Sequence, residues 1–182
     1  MGKFIAGLIA GLLLVPAAAY VYLSQGMAPV ATSAPPLPME RKLTHMALRA
    51  RVAKEAPDHP PISAEESVYL AGAQIYRDNC AVCHGLLQQP KPTAIAQGMF
   101  PTPPRLFPGK GVSDDPPGET YWKVANGIRL TGMPGFKFSL SDVQVWQVSL
   151  LLANSNQLPA SVQHLLTWGG EAGPAPANSM TK

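Results

Sequence analysis

The only two cysteines in the chain stand three positions apart, with a histidine directly after the second, in Cys80-Ala81-Val82-Cys83-His84. Several chemistries use so close a pair. A structural disulfide here would close too small a loop to gain much and would strain easily. A thioredoxin-like dithiol wants a strand before the motif and a parallel sheet around it, and the sequence has neither pattern. Zinc needs one or two further Cys or His ligands at compatible spacing, yet His45, His59 and His164 are isolated. The histidine decides among these. Two thiols at this spacing add across the vinyl groups of a haem and leave the imidazole beneath the iron as proximal ligand.

Such a motif must be held by neighbouring elements, and the sequence reads as helical around it. Ser63-Ala-Glu-Glu66 has the form of a capping box. Val68, Gly72, Ile75, Tyr76 and Asn79 then recur at three- and four-residue intervals up to Cys80. A second box, Ser141-Asp-Val-Gln144, opens a stretch in which Val143, Trp146, Leu150 and Leu151 form the expected buried stripe. Between them, residues 118–128 read as a short helix ended by Gly127, with Tyr121, Trp122 and Val124 to Ile128 as apolar contacts. No sustained period-two alternation occurs, so the expected class is all-α.

The chain is 182 residues long, and its twenty prolines and sixteen glycines crowd into a few stretches. That leaves room for one small domain with extensions. The expected organisation is an anchor or signal segment at 1–26, a proline-rich linker at 27–62, a folded domain at 63–158, and an extension at 159–182 whose last part is disordered. After Lys3, residues 4–23 carry no charge, long enough to cross a bilayer. An uncleaved transmembrane helix with Lys3 in the cytoplasm is the preferred reading, while Ala17 to Ala19 offer the small residues of a cleavage site. From residue 57 to 167, seven basic side chains face eight acidic ones. The folded part is thus close to neutral and has no basic stripe, which disfavours nucleic acid as a partner.

These residues resemble the monohaem class I cytochromes c over about residues 63–158. The resemblance implies a fold of crossed N- and C-terminal helices around a covalently attached haem c, with Gly72 and Tyr76 meeting Trp146 and Leu150. It also implies that the sixth iron ligand is Met133, in the methionine loop of "NGIRLTGMPGF", with Met99 as the rival. In similar proteins a proline carbonyl accepts the proximal histidine's Nδ1 proton and a leucine packs on the haem. Pro104-Arg105-Leu106 matches that pattern, although the interval of twenty residues from His84 is long and Pro103 stays open as the acceptor. Arg105 is a candidate partner for a haem propionate or else an exposed arginine, and Tyr121, Trp122 and Asn126 are candidate propionate donors. The exposed haem edge is expected near Ala81, Val82, Leu86 and the loop from Met133 to Phe136.

One stretch lies outside the resemblance. Residues 39–56 read as an amphipathic linker helix, with Leu43, Met46, Ala47, Ala50 and Ala53 on one face and Arg41, Lys42, Arg49, Arg51 and Lys54 around it. It would lie on anionic lipid, dock on a partner subunit, or serve as a solvated spacer. The expected function is one-electron transfer at a bacterial cytoplasmic membrane with the haem domain on the periplasmic side. The donor would be a quinol-oxidising complex or dehydrogenase, and the acceptor an oxidase or another cytochrome, with the chain a subunit of such a complex. The alternative is a haem enzyme or gas sensor with an open iron site, for which no histidine or arginine is clearly placed for distal acid–base work. A tethered thiol oxidoreductase falls if the thiols are consumed by haem.

Overall fold

A computed structural model describes residues 1–107, 114–167 and 169; the expected disorder of the final residues lies outside these. The chain divides into two units, Met1–Leu43 and Thr44–Lys182. In the first, α1 (Gly2–Ser24) is a continuous helix of 23 residues with Pro16 inside it. At 1.5 Å per residue it is about 35 Å long, and it is long and apolar enough to cross a membrane. It stops in a Schellman arrangement. Gly26 takes φ +70°, and the N–H groups of Gly26 and Met27 reach back to Leu23 O and Tyr22 O at 3.2 Å each.

Helix α2 (Glu40–Glu55) begins in the first unit and runs into the second. Its inward side is not the alanine-rich one. Val52 is 2% exposed, and Leu48 and Ala56, one turn to either side, are half-buried. Leu43, Met46, Ala47, Ala50 and Ala53, the face expected to meet lipid, a partner or solvent, are all exposed. Leu48, Val52 and Ala56 form an i, i+4 row, so one narrow side of α2 removes its apolar area from water.

The second unit continues with α3 (Glu66–Asn79), α4 (Ala81–His84), α5 (Ala94–Gln97), α6 (Pro117–Asn126), α7 (Asp142–Ala153) and α8 (Ala160–Leu166). Among the described residues there is no strand, and the all-α class holds. The Ser141 box forms as expected: Ser141 Oγ accepts from Gln144 N at 3.3 Å, and Ser141 N donates to Gln144 Oε1 at 2.8 Å. The Ser63 box does not. Helix α3 starts at Glu66, with Glu65 as a cap that makes no side-chain bond, because the Glu66 carboxylate accepts from Ser161 on α8 instead of turning back on its own chain.

Helix α3 packs against both α7 and α8, and α6 packs against α7. The α3–α7 crossing is tightest at Gly72, where an added Cβ would stand 2.4 Å from Gln147 O and 3.2 Å from Leu151 Cβ. Gly72 thus meets α7 at Gln147 and Leu151, each one position along from the expected Trp146 and Leu150. Trp146 stacks on Tyr121 of α6, ring centroids 4.3 Å apart, while Tyr76 meets Phe107 edge to face at 5.2 Å. Val143 is exposed, and Val145, Val148 and Leu152 complete the buried side of α7.

Residues 160–167 are part of this packing. Val162 and Leu166 are fully buried in the same core, each contributing about 1.5–3 kcal/mol. Leu87 N donates to Leu166 O at 3.0 Å, and Arg77 on α3 donates to Leu165 O at 2.6 Å. Two stability changes are expected from denaturant unfolding of the haem-loaded protein. Gly72→Ala, which must push the α7 backbone away, should lose about 1–3 kcal/mol, and Leu166→Ala should lose about 2–5 kcal/mol.

Candidate haem-binding site

Helix α3 delivers the cysteine pair. Cys80 N still bonds to Tyr76 O at 2.8 Å, and Cys80 O then accepts from Cys83 N at 3.1 Å and His84 N at 2.9 Å. The three side chains are thus carried on one helical turn. Gly85 ends that turn at φ +77°, a left-handed position that suits glycine. The Tyr76 hydroxyl reaches over the turn to donate to Gly85 O at 2.6 Å, and burial pushes its phenol well above the usual range.

Both cysteines are free thiols and half-buried. Burial, followed by the neighbouring Cys83, pushes the Cys80 thiol up to about 12. A dithiol oxidoreductase needs the opposite, a depressed thiolate, so this environment speaks against thiol redox chemistry. Among the described residues no group of three or more His, Cys, Asp or Glu side chains is placed to hold a metal ion.

His84 Nδ1 lies 2.8 Å from the Pro104 carbonyl oxygen. A carbonyl only accepts, so Nδ1 carries the proton and Nε2 keeps its lone pair. Burial lowers the His84 pKa, with the Pro104 bond pulling the other way. The imidazole is thereby favoured in the neutral form that a metal ligand requires. Pro104 itself is exposed, whereas Leu106 and Phe107 next to it enter the core.

Arg105 is neither exposed nor free. Its Nη2 donates to Gln89 O and, at 3.5 Å, to Leu86 O, bracing the chain just after His84, where Leu86 N also donates to Gln89 Oε1 at 2.9 Å. Arg105 Nε is buried without a protein acceptor. Tyr121, Trp122 and Asn126 have protein acceptors of their own: Asp142, Glu55 and Trp122 O respectively.

Met133 is half-buried against the core, in a loop that is strapped to the end of α6. Phe136 N and Lys137 N donate to Val124 O and Ala125 O at 2.9 and 3.1 Å, occupying carbonyls the helix would otherwise leave open. Inside the loop, Ile128 N donates to Met133 O at 3.2 Å, and Met133 N donates to Thr131 Oγ1 at 3.1 Å. Gly127, at φ +68°, has no room for a side chain, since a Cβ would meet Gly135 N at 2.5 Å and Met133 O at 2.8 Å. Met99 lies against the same loop, its methyl carbon 1.9 Å from where a Gly132 Cβ would be.

The donor set fits a haem bound through its vinyl groups: two unpaired thiols, an imidazole with Nε2 available, and an orphaned Arg105 Nε–H suited to a carboxylate. Sequence reasoning missed the bracing by Arg105 and Gln89 and the Tyr76–Gly85 bond. Only the adjacency of Arg105 to Pro104 hinted at the first of these.

Residues 68–150 match the family described as cytochrome c oxidase, cbb3-type, subunit III. No curated protein and no solved structure matches the chain. The matched segment takes in most of α3, the whole of Cys80 to His84, the Pro104 segment, α6 and most of α7. Over residues 68–150, folded in this way around its cysteine pair, the chain is similar to the monohaem class I c-type cytochromes, a likeness that implies a covalently bound haem c.

Proposed function

We propose that the protein is a membrane-tethered one-electron carrier whose haem c is held by Cys80 and Cys83 and ligated by His84 and Met133. The observation that carries this reading is the paired fixation of the two ligand candidates. His84 is oriented by the 2.8 Å bond to Pro104 O, and the Met133 loop is fastened to the α6 carbonyls. Bound haem supplies a metal centre that takes up and releases one electron with little change of structure.

The chain's own residues do the rest. Pro104 holds the Nδ1 proton and so strengthens Nε2 as a donor. With the Met133 thioether and the His84 imidazole as its ligands, the iron would favour the ferrous state, have a higher potential than with two histidines, and keep no open position for a substrate. Arg105, through its unsatisfied Nε–H, is the group on hand to neutralise a propionate. Leu106, fully inside, contributes to the apolar wall that keeps water from the centre. Val82 and the loop from Met133 to Phe136 mark the edge where a partner approaches; Val82, Pro134 and Gly135 are exposed there.

Helix α1, long and apolar enough to cross a membrane, supports a tether; on this reading the membrane is the bacterial cytoplasmic one and the haem domain lies on its periplasmic side. The matched family is named for a terminal-oxidase subunit, which supports a respiratory setting. In that setting a quinol-oxidising complex or dehydrogenase would donate the electron, an oxidase or another cytochrome would accept it, and this chain would be a subunit of such a complex.

The test is an optical spectrum of the haem-loaded protein. The ferric form should show the weak band at the red edge that marks methionine–iron coordination, and the reduced form should ignore carbon monoxide. Met133→Ala should lose the band, bind carbon monoxide on mixing and lower the potential, whereas Met99→Ala should keep all three wild-type properties. A wild type that binds carbon monoxide readily would overturn the reading in favour of an open-site enzyme or sensor.

A further inference from the structure

Helix α6 is ten residues long, too short to be stable unless other elements hold it, and its first residue has no side-chain cap before it. One side is held by α7 through the Tyr121–Trp146 stack. The other side is held by residues that sequence reading placed in a linker. Trp122 Nε1 donates to Glu55 Oε2 at 3.1 Å, and Glu55 Oε1 is fixed by Arg51 at 2.7 Å. The backbone of Pro57 lies so close to Gly118, in the first turn of α6, that a Cβ there would stand 1.8 Å from Pro57 O. Val52, one helical turn before Glu55 and Ala56, is buried.

The same helix carries the methionine loop at its far end, and polar contacts run from one end to the other. Trp122 O accepts from Asn126 Nδ2 at 3.0 Å. Asn126 Oδ1 accepts from Lys137 Nζ at 3.4 Å, and Lys137 N is one of the two amides that fasten the loop to α6.

We propose that residues 44–57 are a positioning strap of the haem domain, and that Glu55, acting through Trp122 and α6, holds the Met133 loop closed over the iron. Glu55 touches no cofactor; it is a positioning residue. The consequence is that the segment joining the domain to its tether also sets how firmly the sixth ligand stays on. This inference rests on Met133 being that ligand.

The test uses full-length haem-loaded protein in detergent, with cyanide as a probe that competes with the methionine in the ferric state. Losing a charge-assisted bond at a half-exposed site costs about 1 kcal/mol, so Glu55→Ala should bind cyanide about fivefold tighter and show a weaker red-edge band. Glu55→Gln keeps an oxygen that accepts from Trp122 and should stay within about twofold of wild type, which separates positioning from general loss of packing. The proposal is overturned if Glu55→Ala binds cyanide as wild type does, or if Glu55→Gln is perturbed as much as Glu55→Ala. Met133→Ala measured alongside distinguishes the two levels: if it keeps the band and the wild-type cyanide affinity, the ligation reading fails and takes this inference with it. If it loses both while Glu55→Ala changes nothing, only the strap is wrong.

Discussion

The close crossing of α3 over α7 at Gly72 is the constraint on which the rest of the domain depends. Only a residue without Cβ lets the α3 backbone rest against Gln147 O. That contact fixes the direction in which α3 points Cys80, Cys83 and His84. On its other side α7 carries Trp146, on which Tyr121 of α6 stacks, and α6 carries the methionine loop. The segments that carry His84 and Met133 are far apart in sequence, and both hang from helices that pack on α7.

The site itself is built from short pieces of chain that gain definition from single polar contacts. A four-residue helix has almost no stability of its own. Here it is locked by Tyr76 from one side and by Arg105 and Gln89 from the other. Pro104, far along the chain, returns to set the imidazole. Prolines suit this return path because they stiffen an extended segment and remove amide donors that would need partners. Burial keeps the Cys80 thiol protonated, an environment suited to anchoring rather than to exchange.

What was legible in the sequence is what depends on local chemistry. Cys80 to His84, the Ser141 box and the glycine stop at Gly127 are each set by a few adjacent residues, and the structure places them as expected. What depends on competing partners was not legible. Glu66 had two uses, a cap for Ser63 or an acceptor for Ser161, and only the position of α8 decides between them. Periodicity in α2 showed the face of Leu43 and Met46 but not that Leu48, Val52 and Ala56 turn inward, because that depends on what lies beside the helix. Helix α8 (Ala160–Leu166) read as the start of a tail because seven residues are too few for a clear period, yet Val162 and Leu166 close the core. The stack of Trp146 on Tyr121 was not foreseen, since an aromatic on α7 has both α3 and α6 packed beside its helix.

The central claim is that this chain, with its two ligand candidates held on separate elements, works as a closed one-electron centre. Proton NMR of the reduced, diamagnetic protein, with methionine methyls isotopically labelled, tests it most directly. The account predicts one methionine methyl shifted far upfield by the haem ring current, assigned to Met133 by its loss in a Met133 variant, with Met99 among the ordinary methyls. A spectrum with no shifted methyl, or one assigned to Met99, would contradict it.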